Sequence, residues 1–336
     1  MEAFNNFVTA INGVVWGPIM LVLLIGTHII LTIRTRVIQR KTFKGIKLSI
    51  TPDTEASGDV SGFGALATAL AATIGTGNIV GVATAIGTGG PGAVFWLWFT
   101  GLLGMATKFG EATLAVKYRV KAKDGSYIGG PMYALERGLG QKWLGVLFAI
   151  FTGIACFGIG NMTQGNSIAE SVNGTFGIPK VVTGIVLMVI TGLVILGGVK
   201  SISKVCEKLI PLMAGLYIVG CIVILFINGA YVGDAFKVIV QGAFNPQAVG
   251  GGFVGATVIA CIRAGVSRGL FTNESGLGSA PIVDACAATR NPARQALISM
   301  SGVFWDTIVV CLMTSLVLVT AILKDPVGME GWLPVP

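Results

Sequence analysis

The sequence predicts an all-α polytopic membrane protein, because it is rich in long apolar stretches and poor in charge. Of its 336 residues, 53% are hydrophobic and 11% are charged, whereas an average soluble domain has about 25% charged residues. One helical crossing of a bilayer needs roughly 20 apolar residues. Stretches long enough for eight crossings cover residues 14–33, 60–107 (two crossings), 143–169, 181–199, 209–230, 238–289 and 295–323. We therefore expect one transmembrane domain over residues 1–336.

The positions of the basic residues predict the orientation of the chain in the membrane. Seventeen of the 23 lysine and arginine residues fall in four segments that would share one side: 34–47, 117–142, 200–208 and 290–294. Basic residues are enriched in cytoplasmic loops, so we expect a multi-pass protein of the cell membrane, surrounded by lipid, with an extracytoplasmic N-terminus. This asymmetry accounts for the net charge of +8 without a nucleic-acid partner.

The cysteine and histidine residues argue against an enzyme. Six cysteines occur singly at positions 156, 206, 221, 261, 286 and 311, and His28 is the only histidine in the sequence. This pattern supports neither a zinc site nor a disulfide framework, and it offers no pairing of a nucleophile with a base. We expect no catalytic residue and no cofactor, and we expect His28 to be packed or interfacial.

The apolar stretch from Leu66 to Trp98 is interrupted by Gly75-Thr76-Gly77-Asn78. At membrane depth, an unwound backbone persists only where it is buried in protein or lines a cavity. Broken helices of this kind hold substrate and ions in secondary transporters. The N–H groups that begin the second half-helix suit a carboxylate. Free carbonyls at the end of the first half-helix suit a hard cation such as sodium, and so do the side-chain oxygens of Thr76 and Asn78.

Two other interpretations of these glycines are possible. Gly75-x-Gly77-x-x-x-Gly81 partly matches a dinucleotide-binding fingerprint, but that motif needs an acidic residue about twenty positions later. The next acidic residue here is Glu111. Gly77-x-x-x-Gly81 is also typical of close helix packing in membranes, which explains the glycines but not Thr76 and Asn78 beside them.

A second interruption is expected between residues 265 and 278, in the seventh crossing. It contains a possible pocket wall and several polar groups: Phe271, Thr272, Asn273 and Ser275. The two interrupted spans lie five crossings apart and would enter the membrane from opposite sides. This arrangement indicates a binding site between inverted repeats.

Several ionisable residues lie within the predicted spans, where such residues usually mark function. Glu274 would lie near mid-membrane, and an ion pair with Arg263 or Arg268 is the alternative interpretation. Asp306, in the last span, would lie close to a bound cation or would pair with a basic residue.

Two further predictions concern the third and fourth spans. Lys108 and Glu111 are three residues apart, so we expect them to form an ion pair on one helix face. The outer half of the fourth span is polar and includes Gln164.

At these interruptions the sequence resembles the alanine/glycine:cation symporter family, also called the sodium–alanine symporters. The resemblance rests on four runs of residues and spans nearly all of the chain. The runs are GTGNIVGVATAI at 75–86, GGPGAVFW at 89–96, GGPMY at 129–133 and FTNESGLG at 271–278.

The resemblance implies a leucine-transporter-type fold, with two inverted five-helix repeats after one extra N-terminal helix. The extra helix would be residues 14–33, the first repeat 60–230, and the start of the second repeat 250–324. Ten core helices are implied and this chain supplies seven, so the second repeat is expected to be incomplete here. The implied activity is sodium-coupled symport of alanine or glycine by alternating access.

The resemblance also implies roles for individual residues. Backbone N–H groups at Thr76 and Gly77 would bind the substrate carboxylate, and Gly75 is also implied to bind substrate. The substrate pocket would be completed by Gln164, Phe271, Thr272 and Asn273. The carbonyls of Ala71 and Ile74 would bind one sodium ion, and Asn78, Thr272 and Asp306 would surround another. Coupling to protons instead of sodium stays open, as does the oligomeric state, and a channel is the weaker alternative.

Overall fold

The structure is a computed structural model that describes residues 2–53, 56–245 and 257–325. Its first part contains α1 (Glu2–Val15), α2 (Pro18–Arg34), a 3-10 turn (Ile38–Lys41), α3 (Thr42–Ser49), α4 (Gly62–Thr73), a π-helical turn (Gly77–Gly81), α5 (Val82–Gly89), α6 (Ala93–Lys117), β1 (Val120–Lys121), β2 (Tyr127–Ile128), α7 (Pro131–Tyr133) and a π-helical turn (Ala134–Gly138).

The rest of the described chain is helical. It contains α8 (Lys142–Ala155), a π-helical turn (Cys156–Met162), α9 (Thr163–Phe176), α10 (Lys180–Leu196), α11 (Gly198–Ile227), α12 (Gly229–Phe244), α13 (Val258–Asn273), α14 (Ala280–Asp284), α15 (Pro292–Val303), a π-helical turn (Phe304–Val310) and α16 (Cys311–Lys324).

Within the described residues, four helical stretches are long and apolar enough to cross a membrane. They are Asn5–Arg34, Lys142–Phe176, Gly198–Ile227 and Pro292–Lys324. A fifth candidate is the bent pair formed by α4 and the stretch Gly77–Gly89. One shorter apolar helix, α10, has 17 residues, so fewer spans are found among the described residues than the eight crossings that the sequence predicted. The chain is therefore a multi-pass helical membrane protein.

The seventh crossing is shorter than the predicted stretch 238–289. Residues 238–244 belong to α12, which packs on α6 and α16, and α13 begins only at Val258. The predicted start of this span and of the second repeat, at residues 250–252, lies outside the described residues.

The first crossing is anchored to α6 by the single histidine. His28 on α2 is buried, and its Nδ1 lies 2.7 Å from Oγ1 of Thr107. His28 is therefore a packed residue, as expected. The contact ties the N-terminal helices to α6, which also packs on α13 and α15.

The first predicted interruption is present. Helix α4 ends at Thr73, Ile74 takes an extended conformation with ψ 101°, and the following helix leaves at an angle of 53°. Close packing alone does not account for Gly77-x-x-x-Gly81: a Cβ atom at Gly77 would meet Phe271 at 3.2 Å, but one at Gly81 would meet nothing within 4 Å among the described residues.

The second interruption is shorter than predicted. Helix α13 continues through Gly265 and Gly269 to Asn273, and the break occupies residues 274–279. Positive φ angles at Glu274, Gly276 and Gly278 turn the chain there. The prediction was wrong about where the break begins, because the earlier glycines serve close helix contact instead.

That contact joins α13 to α6. A Cβ atom at Gly265 would lie 2.1 Å from the carbonyl oxygen of Ala93, and one at Gly269 would lie 3.1 Å from that of Leu97. Small residues let helix backbones approach closely in membranes. Helices α6 and α13 therefore form a close-packed pair that supports the second break.

A small hairpin departs from the all-α prediction. Strands β1 and β2 pair antiparallel, with Val120 opposite Ile128. In the turn, Asp124 Oδ1 accepts hydrogen bonds from the hydroxyl and the backbone N–H of Ser126. The hydroxyl bond is the main reason that the pKa of Asp124 is lowered.

Candidate functional site

The break between α4 and α5 redirects backbone groups that an unbroken helix would pair. The Gly75 N–H donates to Oδ1 of Asn78 at 2.9 Å, whereas in a continuous helix it would bond to the carbonyl of Ala71. Ala71 lies on the exposed side of the last turn of α4, and Ile74 is buried within the bend. The break therefore presents a freed carbonyl where the sequence predicted a cation ligand.

Gln164 closes the other side of this break. Its Oε1 accepts hydrogen bonds from the Thr76 N–H at 3.3 Å and from the Thr76 hydroxyl at 3.0 Å. A Cβ atom at Gly75 would lie 3.0 Å from the same oxygen. The predicted residues Gly75, Thr76 and Gln164 are thus brought together. Of the N–H groups expected to bind a substrate carboxylate, that of Thr76 donates to Gln164 and that of Gly75 donates to Asn78.

The end of α13 approaches the same break at Gly77. A Cβ atom there would lie 3.2 Å from the ring of Phe271 and 3.3 Å from the methyl group of Thr272. Thr272 is fully buried, and its hydroxyl donates to the carbonyl of Gly269 at 2.9 Å. Phe271 and Thr272 therefore lie against the first break, as predicted for residues of the pocket.

Asn78 connects the break to the last span. Its Nδ2 donates to Oδ1 of Asp306 at 2.8 Å and to the Asp306 carbonyl at 3.2 Å, and it lies 3.2 Å from Sγ of Cys311. The other oxygen of the Asp306 carboxylate accepts from the Thr307 hydroxyl at 2.8 Å. Asp306 pairs with an amide and a hydroxyl, and no basic side chain within the described part of the chain forms the alternative ion pair with it.

Three polar site residues lie in or beside π-helical turns. Asn78 lies within the turn Gly77–Gly81, Asp306 lies within the turn Phe304–Val310, and Gln164 follows the turn Cys156–Met162. Turns of this kind occur frequently at functional sites. A further π-helical turn, Ala134–Gly138, lies outside this region, so the geometry accompanies the three residues without identifying them.

Asn273 is not brought next to Thr76 and Gly77. Its carbonyl accepts a hydrogen bond from Lys108 Nζ at 3.2 Å, and its Oδ1 accepts from the Ser275 N–H at 2.9 Å. Asn273 and Lys108 border a cavity of about 10 Å³ that Asp306 also lines. Asn273 therefore lines a different cavity from Thr76 and Gly77, and its contact with the substrate stays a prediction.

The ion pairs predicted in this region do not form among the described residues. Lys108 and Glu111 each bind the second break, Glu111 through the Gly276 N–H at 3.1 Å. Glu274 accepts a short hydrogen bond from the Ser279 hydroxyl and pairs with neither Arg263 nor Arg268. The charged groups therefore hold the break in shape.

Sequence analysis missed several members of this polar region. Oδ1 of Asp284 accepts from Gln295 Nε2 at 2.8 Å, and Oδ2 accepts from the Ser299 hydroxyl at 2.6 Å. All three residues are essentially inaccessible to solvent. In the sequence, Asp284 is a carboxylate toward the predicted cytoplasmic end of a span, where gating contacts and simple solvation explain it equally well. Gln295, Ser299 and Cys311 carry no local signal that could have identified them.

Comparison with known proteins finds a family model and several relatives that match nearly the whole chain. A sequence model of the sodium:alanine symporter family matches residues 1–332. The sodium/alanine symporter AgcS of Methanococcus maripaludis is 53% identical over 328 residues, which cover 96% of this chain and 72% of that protein.

Two further relatives have less specific names. An uncharacterized transporter of Haemophilus influenzae is 53% identical over 317 residues, covering 94% of this chain and 70% of its own length. The amino-acid carrier protein AlsT of Bacillus subtilis is 39% identical over 321 residues, covering 95% and 67%.

Proposed function

The chain belongs to the sodium:alanine symporter family, and on that basis we propose that it carries alanine or glycine across the cell membrane together with sodium. The transport cycle is alternating access to a site built around the first break. The observation that carries this proposal is the meeting of that break with Gln164 on one side and with Asp306 on the other.

The substrate carboxylate binds at the start of the helix that follows the break. Backbone N–H groups there attract an anion, and the helix dipole favours negative charge. In the structure the Gln164 side chain bonds to Thr76, so it must turn aside, or share the donors, when substrate binds to Gly75, Thr76 and Gly77. Phe271 and Thr272 form the wall of the space for the substrate side chain. Because both residues lie close to Gly77, this space is narrow and favours small amino acids.

Sodium binds on the opposite side of the break. It prefers oxygen ligands, and the carbonyls of Ala71 and Ile74 are freed by the bend. Side-chain oxygens come from Asn78, Thr272 and Asp306, and a hydrogen bond from Nδ2 of Asn78 to Oδ1 of Asp306 already joins two of these residues. These ligands and the substrate groups share one short segment, so each bound species favours the other by the same factor.

The fold implied by this function is a leucine-transporter-like pair of inverted repeats. In this arrangement residues 14–33 form the extra helix, 60–230 the first repeat, and 250–324 the beginning of the second. The two breaks, at residues 74–76 and 274–279, are the corresponding interruptions of the two repeats. The N-terminus is extracytoplasmic, since the basic segments then face the cytoplasm.

Accelerated exchange separates this proposal from its alternatives. The 336-residue protein is reconstituted into liposomes loaded with unlabelled alanine, and uptake of labelled alanine is followed with sodium on both sides. A sodium-coupled carrier gives transient accumulation that is lost when choline replaces sodium. Accumulation that survives in choline but follows pH identifies proton coupling, and uptake that never exceeds equilibrium identifies a channel.

A further inference from the structure

Arg119 joins three separate segments beside the end of α6. Its guanidinium donates to four backbone carbonyls, those of Ser57, Ala285, Ala287 and Thr289, at 3.3, 3.1, 2.7 and 3.0 Å. It also lies 4.2 Å from the ring centroid of Tyr127 in the hairpin. One side chain therefore connects the segment before α4, the segment after α14 and the β1–β2 hairpin.

The two segments that Arg119 joins are also paired directly. The Asp59 N–H donates to the Cys286 carbonyl at 2.8 Å, and the Ala288 N–H donates to the Val60 carbonyl at 2.7 Å. A Cβ atom at Gly58 would lie 2.3 Å from the backbone of Ala288. The backbones are thus in close contact. Arg119 bonds to carbonyls of the same two segments that do not take part in this backbone pairing.

These segments lead directly into the two broken helices. Helix α4, which precedes the first break, begins at Gly62, and α14, which follows the second break, ends at Asp284. The ends of α4 and α14 that point away from the breaks therefore meet at Arg119. If the substrate site opens toward this basic end, α4 and α14 have to separate there.

Arginine suits this position for a reason of geometry. Its planar group offers five N–H donors in a fixed fork, and it stacks on aromatic rings. The ammonium group of lysine has three donors on a flexible stem and cannot span all four carbonyls together with the Tyr127 ring. Carbonyls that lose the arginine are left for water to solvate.

We propose that Arg119 is a positioning residue that holds the basic end of the transport path closed by fastening the segment before α4 to the segment after α14. The inference rests on the proposed alternating-access function, in which these two segments separate when the substrate site opens at the basic end. The contact itself is independent of whether sodium or alanine binds.

Cys286 provides a direct measure of this closure. It is buried, and its thiol lies 3.1 Å from the Tyr127 carbonyl, inside the contact. Cys261 is also buried, but it packs with Ala85 and Ala93 in a different part of the molecule. Opening at the basic end exposes Cys286 alone, whereas a general loss of stability exposes both thiols.

The experiment measures alkylation of both thiols by N-ethylmaleimide in the full chain in lipid nanodiscs, with peptide mass spectrometry as the readout. Arg119→Gln is compared with Arg119→Lys and with Arg137→Gln, which removes the same charge from an exposed position. Loss of charge-assisted hydrogen bonds should accelerate Cys286 alkylation about tenfold or more in Arg119→Gln. Arg119→Lys should give a smaller increase, and Arg137→Gln none.

The outcomes are distinct. Faster alkylation of Cys286 with an unchanged rate at Cys261 supports the inference. An unchanged Cys286 rate overturns it, and so does equal acceleration at both cysteines, which would identify Arg119 as a general structural brace. Sodium-dependent alanine binding by the Arg137→Gln protein tests the proposed function separately. If this protein does not bind alanine, the proposed function fails, but the alkylation rates of the two thiols can still be compared.

Discussion

Asn78 and Asp306 are 228 positions apart in the chain, and their side chains form a buried hydrogen bond of 2.8 Å. The bond links the first break to the last span of the described chain. Because Oδ1 of Asn78 also accepts from the Gly75 N–H, one amide fixes the shape of the break and its distance from the carboxylate. In the proposed function, a sodium ion bound there would contact both helices at once.

Replacing Asn78 with leucine should weaken the dependence of alanine binding on sodium. The change removes an oxygen ligand and leaves a buried carboxylate oxygen without its donor, which costs about 1–3 kcal/mol. We expect the sodium concentration for half-maximal alanine binding to rise about tenfold or more. Asn166→Leu, on an exposed part of α9, is the control. An unaltered sodium response in Asn78→Leu would show that Asn78 is not a ligand.

Replacing Gln164 with leucine should change alanine affinity more than sodium affinity. Gln164 bonds to Thr76 and to no group on the Asp306 side of the break. We expect a change in the dissociation constant for alanine of about threefold or more at saturating sodium, since one hydrogen bond contributes about 0.5–1.5 kcal/mol. Calorimetric titration of alanine and sodium measures both constants, and equal changes in the two would contradict the assignment of Gln164 to the substrate side.

Shortening Phe271 should widen the range of substrates. The Phe271 ring lies within 3.2 Å of the position that a Cβ atom would occupy at Gly77, so it limits the space for the substrate side chain. In Phe271→Ala, larger neutral amino acids such as leucine should compete with labelled alanine, whereas in the unchanged protein they should not. Phe157→Ala, which removes an exposed ring, is the matched control. Exclusion of leucine by Phe271→Ala would place the limiting wall elsewhere.

Substituting Gly265 should destabilise the protein. A side chain there would meet the Ala93 carbonyl at 2.1 Å, and overpacking of this kind typically costs 1–3 kcal/mol. Thermal unfolding of Gly265→Val should begin at a clearly lower temperature than that of Gly220→Val. Gly220 is also within a helix but has nothing within 4 Å of the added Cβ. Equal midpoints for the two variants would contradict close packing of α6 on α13.

The difference between the two breaks shows what the sequence can predict. The first was predictable because Gly75 and Gly77 stand beside Thr76 and Asn78 in an otherwise apolar run. In the second, glycines that serve helix packing precede those that turn the chain. Gly265 and Gly269 differ from Gly276 and Gly278 only in φ and in their neighbours, and neither property is visible in one sequence.

Long-range pairing sets the second limit. Lys108 was expected to pair with Glu111 because the two are close along one helix, but it bonds to the carbonyl of Asn273, 165 positions away. A rule based on spacing along one helix cannot predict that a lysine bonds to a free carbonyl on another helix instead of to a carboxylate on its own. Cys311, which lies against Asn78, was undetectable for the same reason.

Alanine binding measured against sodium concentration tests the central claim most directly, namely that one broken helix binds substrate and cation together. The purified 336-residue protein is titrated with alanine at a series of sodium concentrations, with choline keeping the ionic strength constant. Alanine affinity should increase steadily with sodium, and sodium affinity should increase by the same factor when alanine is saturating. An alanine affinity that is the same in sodium and in choline would contradict the shared site.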